Sequence, residues 1–175
     1  MMLNTAGAPL VLITMVILQQ QDTASWKVGV ALSGLALGGL AGAPLVSPLH
    51  RRLRPGTLLV AVLLMQVPVF IALAVSLGPW WVMAVLFFGM LGVPALSVLI
   101  DVLIFRQVAD RLHGRVIAAA STLFGIGAPL GAAGAGLLLQ FLTASVAMLI
   151  LAAMLAAAGI YAATRPKLRE ATWPA

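Results

Sequence analysis

Apolar runs alternate with short polar breaks along the whole of this chain, and almost every charge falls in a break. The first run, about 6–20, is truncated: Gln19, Gln20, Gln21 and Asp22 interrupt it before a full crossing is complete. Longer runs follow at about 28–49, 57–77, 80–105, 115–140 and 143–164. A helix needs about 20 apolar residues to cross a hydrocarbon core about 30 Å thick. Pro and Gly punctuate two of the breaks, at His50-Arg51-Arg52-Leu53-Arg54-Pro55-Gly56 and at Gly78-Pro79. The pattern predicts an all-α integral membrane protein of five to six transmembrane helices. It forms a single domain over 1–175 with no soluble domain.

Composition sharpens this reading. Of the 175 residues, 63% are hydrophobic and 8% charged, against about 25% charged in soluble domains, and the mean hydropathy is +1.15. The net charge of +6 does not imply nucleic acid, because a soluble binder needs its basic patch on a polar surface and these charges sit between apolar runs. Nine of the ten Lys and Arg residues fall in three clusters, Arg51/Arg52/Arg54, Arg106/Arg111/Arg115 and Arg165/Lys167/Arg169, each two crossings from the next. Only Lys27 lies on the other side. This is the positive-inside pattern, and it predicts a plasma (inner) membrane protein with a cytoplasmic C-terminus, and a cytoplasmic N-terminus too if the first run spans. The chain has no cysteine, so neither disulfides nor thiolate metal sites are expected. The first run lacks the basic lead-in of a signal peptide and reads as mature sequence.

Small residues predict how the crossings pack. Gly34, Gly38 and Gly42 recur at four-residue steps, and Gly127, Gly131 and Gly134 share one face of the fifth crossing, with Gly125, Ala128, Ala132 and Gly136 on another. Such stripes let helix backbones approach closely in lipid. The tetrapeptide Gly-Ala-Pro-Leu stands at 42–45 and again at 127–130, equivalent places in two successive sets of three crossings, although it also stands at 7–10, which is not equivalent. Two odd-numbered sets run in opposite directions, a 3+3 inverted repeat. Pro129 is a candidate hinge or a static kink.

Candidate chemistry is sparse. Asp101 is the one acid well inside an apolar run; it is a candidate for proton coupling or for an ion pair, since at 1.5 Å per residue it lies roughly 6 Å from the predicted helix end, within reach of Arg106. Gln66, Pro68 and Ser97 face either a cavity or the bundle interior. His50 and His113 sit in basic loops, and the methionines and Phe87-Phe88 read as packing or lipid-facing groups. Paired carboxylates, a His cluster or a nucleophile with its base are not evident, which argues against an enzyme; no catalytic residue, cofactor or metal is expected, and neither is a channel filter.

With these residues set out, the chain resembles the C-terminal six-helix half of a major facilitator superfamily transporter, most like the drug-efflux and siderophore-export branch. The run Arg106-Gln107-Val108-Ala109-Asp110-Arg111-Leu112-His113-Gly114-Arg115-Val116 is similar to the loop between that family's tenth and eleventh helices. Pro129-Leu130-Gly131 with Gly136-Leu137 is similar to its eleventh helix. The turn Arg51–Gly56 looks like the loop between the eighth and ninth helices, without the acid of the fuller motif, so no Asp-based gating contact carries over. The resemblance implies one half of a secondary transporter that moves a small molecule by alternating access. It also implies a cavity lined by the first, second, fourth and fifth crossings, a complementary N-terminal six-helix half as partner, and Arg106 and Arg115 as latches between halves or simply as positive-inside charges. The short first crossing fits a truncated or mis-started piece, and the rival expectation is a non-transporting remnant or a membrane scaffold. Reporter tags at Gly56, at Leu112 and in the C-terminal tail are all expected on the cytoplasmic side; one that surfaced on the opposite side would remove the topology.

Overall fold

The structure, a computed structural model, describes residues 2–107 and 113–164. The loop at 108–112, with Asp110 and Arg111, and the tail at 165–175 lie outside the described residues. The described chain is helical throughout: α1 (Met2–Gln20), α2 (Ser25–Gly42), a 3-10 turn (Ala43–Leu45), α3 (Val46–Arg52), α4 (Pro55–Ala74), α5 (Pro79–Met90), α6 (Val93–Gln107), α7 (His113–Phe141) and α8 (Ala144–Thr164). Among the described residues four segments are long and apolar enough to cross a membrane, Ser25–Arg52, Pro55–Ala74, Pro79–Val102 and Ala144–Thr164, and Gly7–Gln20 and Gly125–Phe141 are shorter apolar helices.

Local chemistry explains the helix ends. α1 stops in a Schellman motif: Thr23 N–H donates to Leu18 O and Asp22 N–H to Gln19 O, with Asp22 at φ 49°, a left-handed conformation that Asp tolerates better than most residues. α4 and α5 both begin with proline at the first helical position, where the missing N–H has no intrahelical partner to lose. Gly78 precedes α5 at φ 114°, a conformation that a Cβ disfavours. Ala72 O, in the last turn of α4, accepts from the Trp81 indole at 2.9 Å, and Ser76 O, just past the end of the helix, accepts from the Gln21 amide at 3.0 Å. The Gln21–Ser76 bond also places the α1–α2 and α4–α5 turns at the same end of the bundle. The Arg51–Arg54 turn is therefore at the other end.

Two runs that read as unbroken crossings are each interrupted. In the second, Pro44 and Pro48 stand one turn apart; each lacks an N–H and crowds the carbonyl four residues back, and the chain takes a 3-10 turn at Ala43–Leu45 before resuming as α3. In the fourth, Pro94 stands four residues after Met90, where α5 ends, and Leu91-Gly92 forms the turn into α6. The same letters Gly-Ala-Pro-Leu at 127–130 stay inside the 29-residue α7, because no second proline follows one turn later.

The breaks lie side by side. A Cβ built on Gly34 would strike the carbonyl of Met83, one on Gly38 that of Phe87, and one on Gly42 that of Leu91. The constant sequence offset means that α2 and α5 run parallel in register with their backbones in contact, and the last of these contacts falls where both helices break. α4 runs antiparallel to them: Gly89 lies against Val69 and Gly92 against Val62. The most extensive pairings among the described residues are α2 with α5, α4 with α8 and α1 with α7, and α1 on α8 is matched by α4 on α5. Exchanging the first three crossings (α1, α2–α3, α4) for the second three (α5–α6, α7, α8) maps this set of pairs onto itself. α1 runs toward the Gln21–Ser76 end and α5 away from it, so the two triplets are inverted. The fold is a membrane helical bundle built as a 3+3 inverted repeat.

The breaks also divide the core. The larger cluster gathers Leu10, Ile13, Leu18, Phe70, Leu73, Leu86, Met148 and Leu155. The smaller one, Leu58, Val62, Ala95, Leu96 and Leu99, is flanked by Leu49 and Leu53 at the basic end. The α2–α5 contact gives a direct expectation. Gly38→Ala should destabilise the bundle by about 1–3 kcal/mol, since a backbone carbonyl cannot move aside, whereas Gly39→Ala, with nothing within 4 Å of its Cβ, should be neutral or gain the roughly 0.5–1 kcal/mol of helix propensity. Unfolding titrations in mixed micelles would measure both.

Candidate functional site

Two groups of polar side chains stand out, those inside the bundle and those on exposed faces. Gln66 belongs to the first group. It is 6% exposed, and its Nε2 donates to Gly89 O at 3.2 Å. Gly89 is in the last turn of α5, where carbonyls have lost their intrahelical partners. Gln66 therefore caps the broken end of α5 from α4. His50 plays a related part below the break: its Nε2 lies 2.8 Å from Ala95 O, tying the last turn of α3 to α6. Ser33 donates to Val30 O at 2.6 Å within its own helix. Thr14 is 1% exposed and its Oγ1 has no hydrogen-bond partner among the described residues.

The second group lies on α6 and α7. Asp101 and Ser97, one turn apart on α6, are exposed with Val98 between them, while Ala95, Leu96 and Leu99 on the other side of α6 are buried. Ser97 Oγ donates to Val93 O at 3.2 Å. On α7, Arg115, Ser121 and Thr122 are exposed, with Thr122 Oγ1 donating to Ala118 O at 2.9 Å. α6 and α7 touch, and each carries a strip of exposed polar side chains that starts near the basic end. A charged side chain facing acyl chains is costly, by about 2.5–3.5 kcal/mol at a helix centre on insertion scales. The strip is therefore suited to water or to polar groups of another element.

The sequence-predicted residues fall as follows. Arg106 is within α6 by its backbone; its side chain lies outside the described residues, as does that of His113. Arg115 is exposed in the first turn of α7, and no ion pair joins it to Asp101 among the described side chains. Gly34, Gly38 and Gly42 are buried against α5. Gly127 and Gly131 are buried on α7, with Ala135, and α1 is the main neighbour of that helix; Gly134, expected on the same face, is half-buried with nothing within 4 Å of its Cβ. Pro129 is exposed inside an unbroken helix. On the other small-residue face of α7, nothing among the described residues lies within 4 Å of a Cβ at Gly125 or Gly136, while Ala128 and Ala132 between them are half-buried. Pro68 is exposed within α4. Among the described residues no three His, Asp or Glu side chains are grouped to hold a metal.

A family model described as Major Facilitator Superfamily matches residues 1–173. No curated protein and no solved structure matches the chain.

The two buried polar groups should respond oppositely to removal. Gln66→Leu strands the Gly89 carbonyl in the core and should cost about 1–3 kcal/mol, while Thr14→Val deletes a hydroxyl that has no partner and should be neutral or stabilising. Thermal unfolding of the two purified variants would check the contrast.

Proposed function

The chain belongs to the Major Facilitator Superfamily, a family of transporters rather than an enzyme class, and on that premise we propose that its bundle is one half of a secondary active exporter. The cargo is a small molecule of drug-like or siderophore-like type. The complementary six-helix half, on the same longer chain or another, meets the strip of α6 and α7 and closes a cavity between them. Alternating access then follows from rocking of the two halves about that cavity.

The single observation that supports this reading best is the strip itself. Asp101, Ser97, Ser121, Thr122 and Arg115 are exposed on two adjoining helices, and among the described residues Asp101 is the one acid within an apolar run. Lipid does not stabilise such a face, whereas a water-filled path or the polar face of a second bundle does. Asp101, Arg106 and Arg115 act as gating charges in this scheme, exchanging partners between the two halves as the basic end opens and shuts. The basic end faces the cytoplasm and the C-terminus lies on that side of the inner membrane, because nine of the ten Lys and Arg residues cluster in the breaks on that side.

The test is export of a lipophilic dye from cells that co-express the chain with a complementary half. Accumulation should fall only when both are present. Asp101→Asn should then slow export by about tenfold or more, the effect of losing about 1.4 kcal/mol at the rate-limiting step, with Asp101→Glu partly restoring it. Unchanged pH dependence in the slowed Asp101→Asn protein assigns Asp101 to gating and not to proton coupling. Correct insertion with no export beside any complementary half would leave the chain as a scaffold for other membrane proteins.

A further inference from the structure

We propose that the turn between α3 and α4 is a preorganised site for an anionic phospholipid, whose phosphate is held by Arg51, Arg52 and Arg54. The site requires that the chain sit in a bilayer, but it does not require that it transport anything.

The turn is built to project three guanidinium groups from a fixed base. Leu49 and Leu53 pack against the small core of Leu58, Val62, Ala95, Leu96 and Leu99. His50 Nε2 is 2.8 Å from Ala95 O, and Pro55 and Gly56 are buried at the start of α4. Every residue between these anchors is an arginine, and all three are exposed. Leu49, His50, Leu53 and Pro55 are directed inward and Arg51, Arg52 and Arg54 outward. Anchoring of this kind removes much of the entropy that loose arginines lose on binding an anion.

No acid occurs between Asp22 and Asp101, and none of the three arginines is ion-paired among the described side chains. The exposed face that leads to the turn is apolar for about the depth of one leaflet. Leu37 and Leu40 are 44% and 75% exposed, and Pro44 and Pro48 continue that face down to Arg51. From Leu40 to Arg51 the rise is roughly 16 Å at 1.5 Å per residue, close to half of a hydrocarbon core about 30 Å thick. An apolar stripe one leaflet long that ends in a triad of arginines matches a phospholipid in shape and charge. Guanidinium groups hold phosphate oxygens in bidentate geometry, and each basic residue near the surface favours an anionic lipid by about fivefold.

The experiment is native mass spectrometry of the full chain, delipidated in detergent and then titrated with phosphatidylglycerol or with phosphatidylcholine of the same acyl chains. One phosphatidylglycerol should be retained with at least tenfold preference over phosphatidylcholine, and retention should weaken as salt rises. Arg51→Gln/Arg52→Gln/Arg54→Gln should abolish the preference with helix content unchanged by circular dichroism, and the matching triple Lys variant should keep part of it. Equal retention of the two lipids by the unmodified chain would overturn the proposal without any reliance on a variant. So would full retention of phosphatidylglycerol by the Gln variant. Displacement of the lipid by millimolar inorganic phosphate would show a site for free phosphate and overturn the lipid assignment. Loss of dye export leaves all of these readings unmoved, so the two proposals fail separately.

Discussion

The bundle depends on backbone contact between α2 and α5. In lipid there is no hydrophobic force to draw two apolar helices together, so close packing and weak polar contacts must do it. Gly34, Gly38 and Gly42 present bare Cα atoms to the carbonyls of Met83, Phe87 and Leu91, the arrangement in which Cα–H groups approach carbonyl oxygens. A Cβ at any of the three would hold the helices apart along their whole length, since the contacts are in register and share one offset. The pairing also fixes direction. Because α2 and α5 are parallel and each belongs to a different set of three crossings, the two sets must be inverted.

What happens below Gly42 follows from that register. Both helices lose their hydrogen-bond ladders at the same level, one at Pro44 and Pro48 and the other at Pro94, so each break removes a helical neighbour from the other. The freed backbone groups are met by side chains from the adjoining helices. Gln66 reaches Gly89 O from α4, whereas His50 reaches Ala95 O, a carbonyl within the first turn of α6, and ties α3 to that helix. Broken helices are tolerated at membrane depth when neighbours re-satisfy the backbone in this way. A second, smaller core then forms beneath the breaks, where α3, α4 and α6 meet.

Much of this was legible in the residues, though unevenly. The alternation of apolar runs with charged breaks announces membrane helices because few other physical solutions suit so little charge. The glycine spacing of α2 is visible as letters, but its partner is not, since the α5 surface it meets is carbonyl oxygen and any residue supplies that. The interruption at 43–45 shows the limit of matching short motifs: Gly-Ala-Pro-Leu breaks a helix at 42–45 and rides inside one at 127–130, and the decisive residue, Pro48, lies outside the motif. Gln66 was open between a cavity and the interior, because only the break in α5, a tertiary matter, creates the unsatisfied carbonyl that it meets. Of the candidate site, Asp101 stood out as a lone acid. Ser121 and Thr122 did not, being common residues whose exposure is settled only by which helices leave α7 uncovered.

The polar strip and the arginine turn lie near the same end of the molecule, and their chemistry keeps them apart. On the strip, Asp101 and Arg115 carry opposite charges on different helices, with small hydroxyl residues along the same faces, so the exchange of partners proposed for a second half would draw on charges of either sign. On the turn, three like charges project from one anchored loop with apolar surface above them, so the occupant must be anionic at one end and greasy at the other. Mutual repulsion among those arginines is relieved when such an occupant arrives and returns when it leaves. Because His50 joins the turn to α6, the element that carries Asp101, whatever steadies the arginines also steadies the helix on which the strip is built.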